Sequence, residues 1–174
     1  MAALEVGAKA PDFALEGTPE SAFGRFRLSE AIKQTRFVVL AFYPLAFSPV
    51  CTDELNLFQE VLDEFRRLGA QVVGISVDSK YSQRAFAKAN AITFPLLADF
   101  HPKGAVAAQY GVMRDDGVAE RALFIVGPEM VVRYSFVSEL RKNPGADRLL
   151  DALEAMQVPR PASAGRDGDA PKGA

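Results

Sequence analysis

The chain has 174 residues, of which 49% are hydrophobic and 24% charged, and its formal net charge is -2. This size and composition predict one globular domain with a substantial core and exclude a wholly disordered chain. Nucleic-acid binding is not expected because there is no basic run, and no stretch reaches the roughly 20 apolar residues that a membrane span requires.

The first predicted core element is residues 37–43, a continuous apolar run that Pro44 ends. Such a run is typical of a central strand covered on both faces. A long amphipathic helix is predicted next, because apolar residues recur near helical spacing from Leu55 to Leu68. Gly69 is expected to end that helix.

Strands and helices continue to alternate in the rest of the chain. Residues 72–77 predict a second buried strand, and a helix capped by Ser79 or Ser82 follows it to Asn90. We predict a short extended piece at residues 94–97 and a short helix at 103–110. Two strands of a hairpin are predicted at 122–126 and 131–136, and a closing helix at 146–156. This order predicts an α/β fold, thioredoxin-like in outline, with a central mixed β-sheet flanked by helices.

The composition changes after Met156 to Pro, Gly, Ala, Ser and Asp. We therefore expect residues 1–156 to form the domain and residues 157–174 to be a disordered tail, since the tail has little to bury. The N-terminus lacks the basic-then-apolar order of a signal peptide, and a single cysteine fits a reducing compartment. The expected location is the cytoplasm.

Cys51, the single cysteine, ends the segment that joins the first predicted central strand to its helix, and it falls in the first turn of that helix. Open α/β folds place their sites at the carboxyl ends of strands, and the first turn of a helix stabilises a thiolate through free N–H groups and the helix dipole. A lone cysteine is often only a small buried apolar residue. Its position at a strand-to-helix turn favours the nucleophile.

Ser48 stands where thioredoxin-type oxidoreductases carry the first cysteine of C-x-x-C. A dithiol–disulfide cycle within this turn is therefore excluded. A hydroxyl three residues before Cys51 can bond both the sulfur and an incoming oxygen, as attack of a thiolate on a peroxide requires. The same hydroxyl can also cap the helix, and the two roles are compatible.

The pattern P-x-x-x-S/T-x-x-C, formed by Pro44, Ser48 and Cys51, resembles the active-site motif of the peroxiredoxins. The resemblance covers about residues 4–156. Residues 11–13 resemble the family segment A-P-D-F, and residues 94–99 resemble F-P-L-L-S-D. Residues 110–112 resemble Y-G-V, and residues 120–125 resemble the strand that carries the active-site arginine. With no second cysteine, the motif is most similar to that of the one-cysteine alkyl hydroperoxide reductase E type.

The resemblance implies a thiol-dependent peroxidase and gives separate roles to four residues. Cys51 would attack hydrogen peroxide or a small organic hydroperoxide and become a sulfenic acid. Arg121 would place a permanent positive charge beside the sulfur and donate to the peroxide oxygens. Pro44 would shield the sulfur from water, and Glu54 would orient an arginine.

The resemblance also implies what the protein needs besides these residues. An external thiol, or a thioredoxin- or glutaredoxin-like reductant, would have to reduce the sulfenic acid because the chain has no resolving cysteine. No cofactor is expected, and one Cys with one His cannot form a metal cluster. A homodimer is implied by the family. Whether Arg141 or Arg148 also reaches the site stays open.

Two other functions remain as alternatives. In a Cys–His hydrolase or transferase, His101 would act as the base for Cys51, although its Pro-flanked loop suggests a structural role. In a non-enzymatic redox sensor, oxidation of Cys51 would alter a surface that binds a partner. The aromatic residues Tyr43, Phe47 and Phe86 are expected either in the core or as an apolar wall of the site.

Overall fold

Five strands form the main sheet of the computed structural model, which describes residues 2–19 and 25–157. In chain order the elements are β1 (Ala14–Leu15), β2 (Phe26–Arg27), α1 (Leu28–Gln34), β3 (Phe37–Phe42), α2 (Pro49–Glu60), α3 (Leu62–Arg67), β4 (Ala70–Ser76), α4 (Lys80–Ala89), β5 (Leu96–Ala98), α5 (Ala105–Gln109), β6 (Arg121–Gly127), β7 (Val131–Ser138) and α6 (Asp147–Ala155). The strand order of the main sheet is β5-β4-β3-β6-β7.

The main sheet is mixed, with β3 at its centre. β3 runs parallel to β4 and antiparallel to β6. On the outside, β5 is parallel to β4 and β7 is antiparallel to β6, so β6 and β7 form the predicted hairpin. The predicted α/β fold with a central mixed sheet is confirmed.

Helices cover both faces of the sheet, which explains the uninterrupted apolar run in β3. All of its residues are buried. Its odd-numbered side chains pack with α2, α3, α4 and α6, whereas its even-numbered side chains pack with α1 and α5. A strand of this kind has no solvent face on which polar residues would alternate with apolar ones.

The long helix predicted after β3 is two helices, and the prediction of one helix was wrong. The chain leaves helical geometry at Val61, where φ is -103° and ψ is 17°. Leu55 and Phe58 of α2, and Leu62 and Phe65 of α3, are all buried in the same core. Because both helices bury the same apolar face, the periodicity did not reveal the break between them.

The remaining predicted elements lie within a few residues of the observed ones. For α4 the structure selects Ser79 as the N-cap, since its hydroxyl accepts the N–H of Ser82 at 3.2 Å. The short helix α5 begins later than predicted because Gly104, at φ 69°, adopts a left-handed conformation just before it.

Three N-terminal elements, β1, β2 and α1, were not predicted. The helix α1 begins without a local side-chain cap. Instead Asp12, 17 residues earlier in the chain, accepts the backbone N–H of Ser29 at 2.9 Å. Sequence signals for helix starts are local, so a cap supplied from a distance leaves none.

The predicted tail, residues 157–174, lies outside the described residues except for Gln157. The side chain of Gln157 donates to the carbonyl of Leu68 at 3.0 Å and accepts from Arg36 at 2.7 Å. Among the helices that the structure describes, none has the length and apolar character needed to cross a membrane.

Candidate active site

Cys51 is the third residue of α2, directly beyond the loop that follows β3. Ser48 occupies the N-cap position with extended geometry, and Pro49 begins the helix, where its missing N–H is not needed. The N–H and the hydroxyl of Thr52 donate to the Ser48 carbonyl at 2.9 Å and 2.8 Å, which closes the first turn. The side chain of Cys51 is buried in this turn, at 0% exposure.

Arg121 reaches Cys51 from the strand beside β3. Because β6 runs antiparallel to β3, its first residue lies next to the carboxyl end of β3, with Ala122 opposite Phe42. The Nη2 of Arg121 donates to the Sγ of Cys51 at 3.3 Å. The carbonyl of Leu140 accepts from Nε and Nη2 of the same guanidinium at 3.1 Å and 2.9 Å, which fixes its orientation.

Glu54 completes a buried triad with Arg121 and Cys51. It lies one turn after Cys51 on α2, and its Oε2 accepts from the Nη1 of Arg121. Its other oxygen, Oε1, is buried and has no hydrogen-bond partner among the described residues. One guanidinium therefore contacts both a carboxylate and the sulfur.

Burial and charge act in opposite directions on this triad. Burial raises the pKa of Glu54 to about 7, although the positive charge and hydrogen bond of Arg121 act to lower it. For Arg121, burial lowers the pKa, but Glu54 and Cys51 together raise it above the ordinary value. The arginine therefore keeps its positive charge beside the sulfur.

Ser48 and Pro44 lie near Cys51 in the chain but do not contact it through hydrogen bonds. The Ser48 hydroxyl forms no hydrogen bond with any described residue, and it does not cap α2. Its half-buried side chain is thus unengaged. Pro44 is also half-buried, and it follows the end of β3 by two residues.

A partly buried polar network that was not predicted from the sequence anchors the loop between β3 and α2. The backbone N–H of Ala46 donates to Oδ2 of Asp78 at 2.8 Å, and the Ser76 hydroxyl donates to the same oxygen at 2.6 Å. Gln83 donates to Ser76 at 2.8 Å and accepts from the hydroxyl of Tyr43. In the sequence, the feature that could have indicated this network is the polar Ser-x-Asp segment at the carboxyl end of β4, the strand beside β3.

The three aromatic residues singled out in the sequence have different surroundings. Tyr43 and Phe86 are fully buried, whereas Phe47 is 57% exposed. The rings of Phe47 and Phe86 meet edge to face with centroids 5.1 Å apart. Phe86 of α4 therefore packs against a residue of the loop that precedes Cys51.

The other candidate residues do not join this site. His101 is exposed in the loop after β5, at the edge of the sheet, and no hydrogen bond connects it to Cys51. Arg148 is exposed and lies over the Phe136 ring at 4.5 Å, and Arg141 is also exposed. Within residues 2–19 and 25–157, no group of three or more His, Cys, Asp or Glu side chains could hold a metal ion.

The sequence of the chain is similar to one described family and to several known proteins. Residues 6–135 match the AhpC/TSA family. The chain is 37% identical to a chloroplastic 2-cysteine peroxiredoxin of Chattonella marina var. antiqua, over 88% of this chain and 81% of that protein. It is 34% identical to peroxiredoxin-2 of Mus musculus, over 88% of this chain and 79% of that protein.

Crystal structures of known proteins share the fold. A reduced 2-Cys peroxiredoxin of Plasmodium vivax superposes with a TM-score of 0.80 and 32% identity, over 87% of this chain and 81% of that one. The peroxidoxin BcpB of Mycobacterium tuberculosis superposes with a TM-score of 0.79 and 33% identity, over 89% of this chain and 99% of that one.

Proposed function

The chain belongs to the AhpC/TSA family and is a thiol-dependent peroxidase, and on this basis we propose that Cys51 is the nucleophile that reduces hydroperoxides. The observation that carries the proposal is the hydrogen bond from the Nη2 of Arg121 to the Sγ of Cys51, at 3.3 Å. A positive charge and a helix N-terminus both stabilise a thiolate, which is the reactive form of a cysteine.

The proposed reaction transfers one oxygen atom to the sulfur. The Cys51 thiolate attacks the distal oxygen of ROOH, an S–O bond forms and the O–O bond breaks. The electron pair leaves on the alkoxide, which takes up a proton to give ROH, and Cys51 becomes a sulfenic acid. Arg121, the Ser48 hydroxyl and the backbone N–H of Cys51 would stabilise the developing negative charge.

Three further residues support the reaction in this proposal. Glu54 holds Arg121 in place, since its Oε2 accepts from Nη1 while Nη2 faces the sulfur. Ser48 carries an unengaged hydroxyl that is free to donate to a bound peroxide. Pro44 limits water near the sulfur because it offers no backbone N–H.

Reduction of the sulfenic acid is proposed to use an external thiol. The chain has one cysteine, so it offers no second thiol with which Cys51 could pair internally. Hydrogen peroxide and small organic hydroperoxides are the proposed substrates, and a low-molecular-weight thiol or a thioredoxin- or glutaredoxin-like protein is the proposed reductant. A reducing compartment such as the cytoplasm would supply either reductant.

We also propose that the protein forms a homodimer. Three aromatic residues, Phe47, Tyr81 and Phe100, are each more than half exposed, and they follow β3, β4 and β5. These strands are parallel neighbours, so the three residues all follow carboxyl ends of strands on the same side of the sheet. Sedimentation velocity at micromolar concentration tests this, and a monomer alone would contradict it.

Intact-mass measurement of the reduced protein tests the peroxidase site directly. One equivalent of hydrogen peroxide is added, and the mass is followed from milliseconds to seconds with and without a sulfenic-acid trap. We expect rapid addition of one oxygen at Cys51 in the wild type and in His101→Ala, but slow addition in Arg121→Ala. Oxidation no faster than that of a free thiol would contradict the proposal and favour a redox sensor.

A further inference from the structure

The loop that carries Pro44 and Ser48 is held in place by a carboxylate from a different strand. Asp78 follows β4, yet its Oδ2 accepts the backbone N–H of Ala46 in the middle of that loop at 2.8 Å. The same oxygen accepts the Ser76 hydroxyl at 2.6 Å, and Ser76 also accepts from Gln83. Ser76 and Gln83 therefore hold the Asp78 carboxylate in the position from which it accepts the N–H of Ala46.

The residue after Ala46 shows why the loop requires such a contact. Phe47 has a φ of 66°, in the left-handed region that residues other than glycine adopt at an energetic cost. Such a conformation persists only where neighbouring interactions impose it. Here the Ala46–Asp78 bond lies on one side, and the bonds from Thr52 to the Ser48 carbonyl lie on the other.

The same network also fixes the start of the loop. The backbone N–H of Tyr43 donates to the carbonyl of Ile75 at 3.0 Å, and the Tyr43 hydroxyl donates to the side-chain oxygen of Gln83. Gln83 is itself buried and donates to Leu97 at 3.1 Å as well as to Ser76. Residues 44 and 45 thus lie between two anchored positions, Tyr43 and Ala46.

We propose that Asp78 is a positioning residue of the peroxidase site, acting through Ala46 on the loop that presents Pro44 and Ser48 to Cys51. This inference rests on the proposed function, because it concerns the rate at which Cys51 reacts with peroxide. Asp78 makes no contact with the sulfur. It instead holds the loop in the one conformation in which the Ser48 hydroxyl can meet an oxygen bound at Cys51.

The test compares two reactions of Cys51 in the full chain, oxidation by hydrogen peroxide and alkylation by iodoacetamide. Oxidation needs the ordered loop, whereas alkylation needs only an accessible thiolate. Asp78→Ala is expected to lower the oxidation rate about tenfold or more, and alkylation less than about threefold. Asp78→Asn keeps a carbonyl oxygen that accepts from Ala46, so its ratio of oxidation to alkylation should return close to that of the wild type.

Asp63→Asn is the matched control, because it removes one carboxylate from a side chain that is 94% exposed on α3. Its two rates should equal those of the wild type. If Asp78→Ala does not fold, Asp78→Ser replaces it, since the serine side chain is one bond shorter and does not reach Ala46. The fold of each variant is checked by circular dichroism and thermal unfolding.

The two proposals fail in different ways. If Asp78→Ala or Asp78→Ser shows a lower melting temperature but an unchanged ratio of oxidation to alkylation, the residue is only structural and the positioning role is overturned. If the wild type itself reacts with peroxide no faster than free cysteine, the proposed function is wrong, and the role of Asp78 fails with it.

Discussion

The Nη2 of Arg121 lies 3.3 Å from the Sγ of Cys51, although 70 residues separate the two along the chain. The contact exists because β6 pairs antiparallel with β3, which brings the start of one strand to the end of the other. The second nitrogen of the same guanidinium bonds Glu54. A guanidinium group can make both contacts because its donors lie in one plane and point in different directions, and the single ammonium group of a lysine could not reproduce them.

Arg121→Lys should therefore lose most of the peroxidase reaction. A lysine keeps the positive charge but cannot contact the sulfur, Glu54 and the Leu140 carbonyl together. We expect oxidation of Cys51 by hydrogen peroxide to slow by about 10²–10³-fold, the range seen when one preorganised donor is removed. Rapid-quench mass spectrometry measures this rate. A value within about threefold of the wild type would exclude a direct role of the guanidinium in the reaction.

Arg121→Ala should also destabilise the fold, because it leaves the buried Glu54 carboxylate without its partner. A loss of about 3–5 kcal/mol in the free energy of unfolding is expected from breaking a buried ion pair. The double variant Arg121→Ala, Glu54→Gln should recover part of this stability but none of the oxidation rate. Urea titration and rapid quench separate the two effects, and recovery of both would contradict the assignment.

Ser48→Ala should slow the reaction without weakening the fold. The hydroxyl forms no hydrogen bond with any described residue, so its removal should change the free energy of unfolding by less than about 0.5 kcal/mol. Oxidation of Cys51 should fall about tenfold if the hydroxyl donates to the peroxide. Ser48→Thr keeps the hydroxyl and serves as the control. Equal rates for all three proteins would show that Ser48 has no part in the reaction.

Glu54 should make the stability of the fold depend on pH. Its pKa is about 7 in the folded protein, compared with an ordinary value of 4.5, so the folded state holds the proton more tightly. The stabilisation is complete below the ordinary value and is lost as the pH rises through about 7, with a slope of up to about 1.4 kcal/mol per pH unit. Stability measured from urea titrations in this window should fall relative to Glu54→Gln as pH rises. If wild-type stability instead rises relative to Glu54→Gln as the pH increases, the ion pair with Arg121 outweighs burial.

Phe86 should contribute to stability as well as to the wall beside the loop. It is fully buried and meets Phe47 edge to face, at 5.1 Å between ring centroids. Phe86→Ala should cost about 3–5 kcal/mol through lost burial and the cavity that remains. Lys88→Ala, at an exposed position of the same helix, should change stability by less than about 0.5 kcal/mol. Similar effects of the two substitutions would indicate that the helix does not pack as described.

Local patterns in the sequence were sufficient for much of the fold. The apolar run of β3 predicted a central strand because covering both faces of a strand removes the polar alternation. Helix periodicity and Gly69 predicted a helical segment that covers α2 and α3. They did not predict the break at Val61, since both helices bury the same face. The helix α1 was missed because its cap comes from Asp12 rather than from a neighbouring residue.

In the candidate site, too, some features follow from local sequence and others from the tertiary structure alone. The sequence by itself placed Cys51 in the first turn of a helix after a strand and Ser48 at the cap before it, because both positions depend on local chain direction. Only the tertiary structure decided that one guanidinium spans Cys51 and Glu54, and that Asp78 reaches across to Ala46. Those contacts depend on which strands lie side by side, and strand order is set by the packing of the whole core rather than by any segment alone.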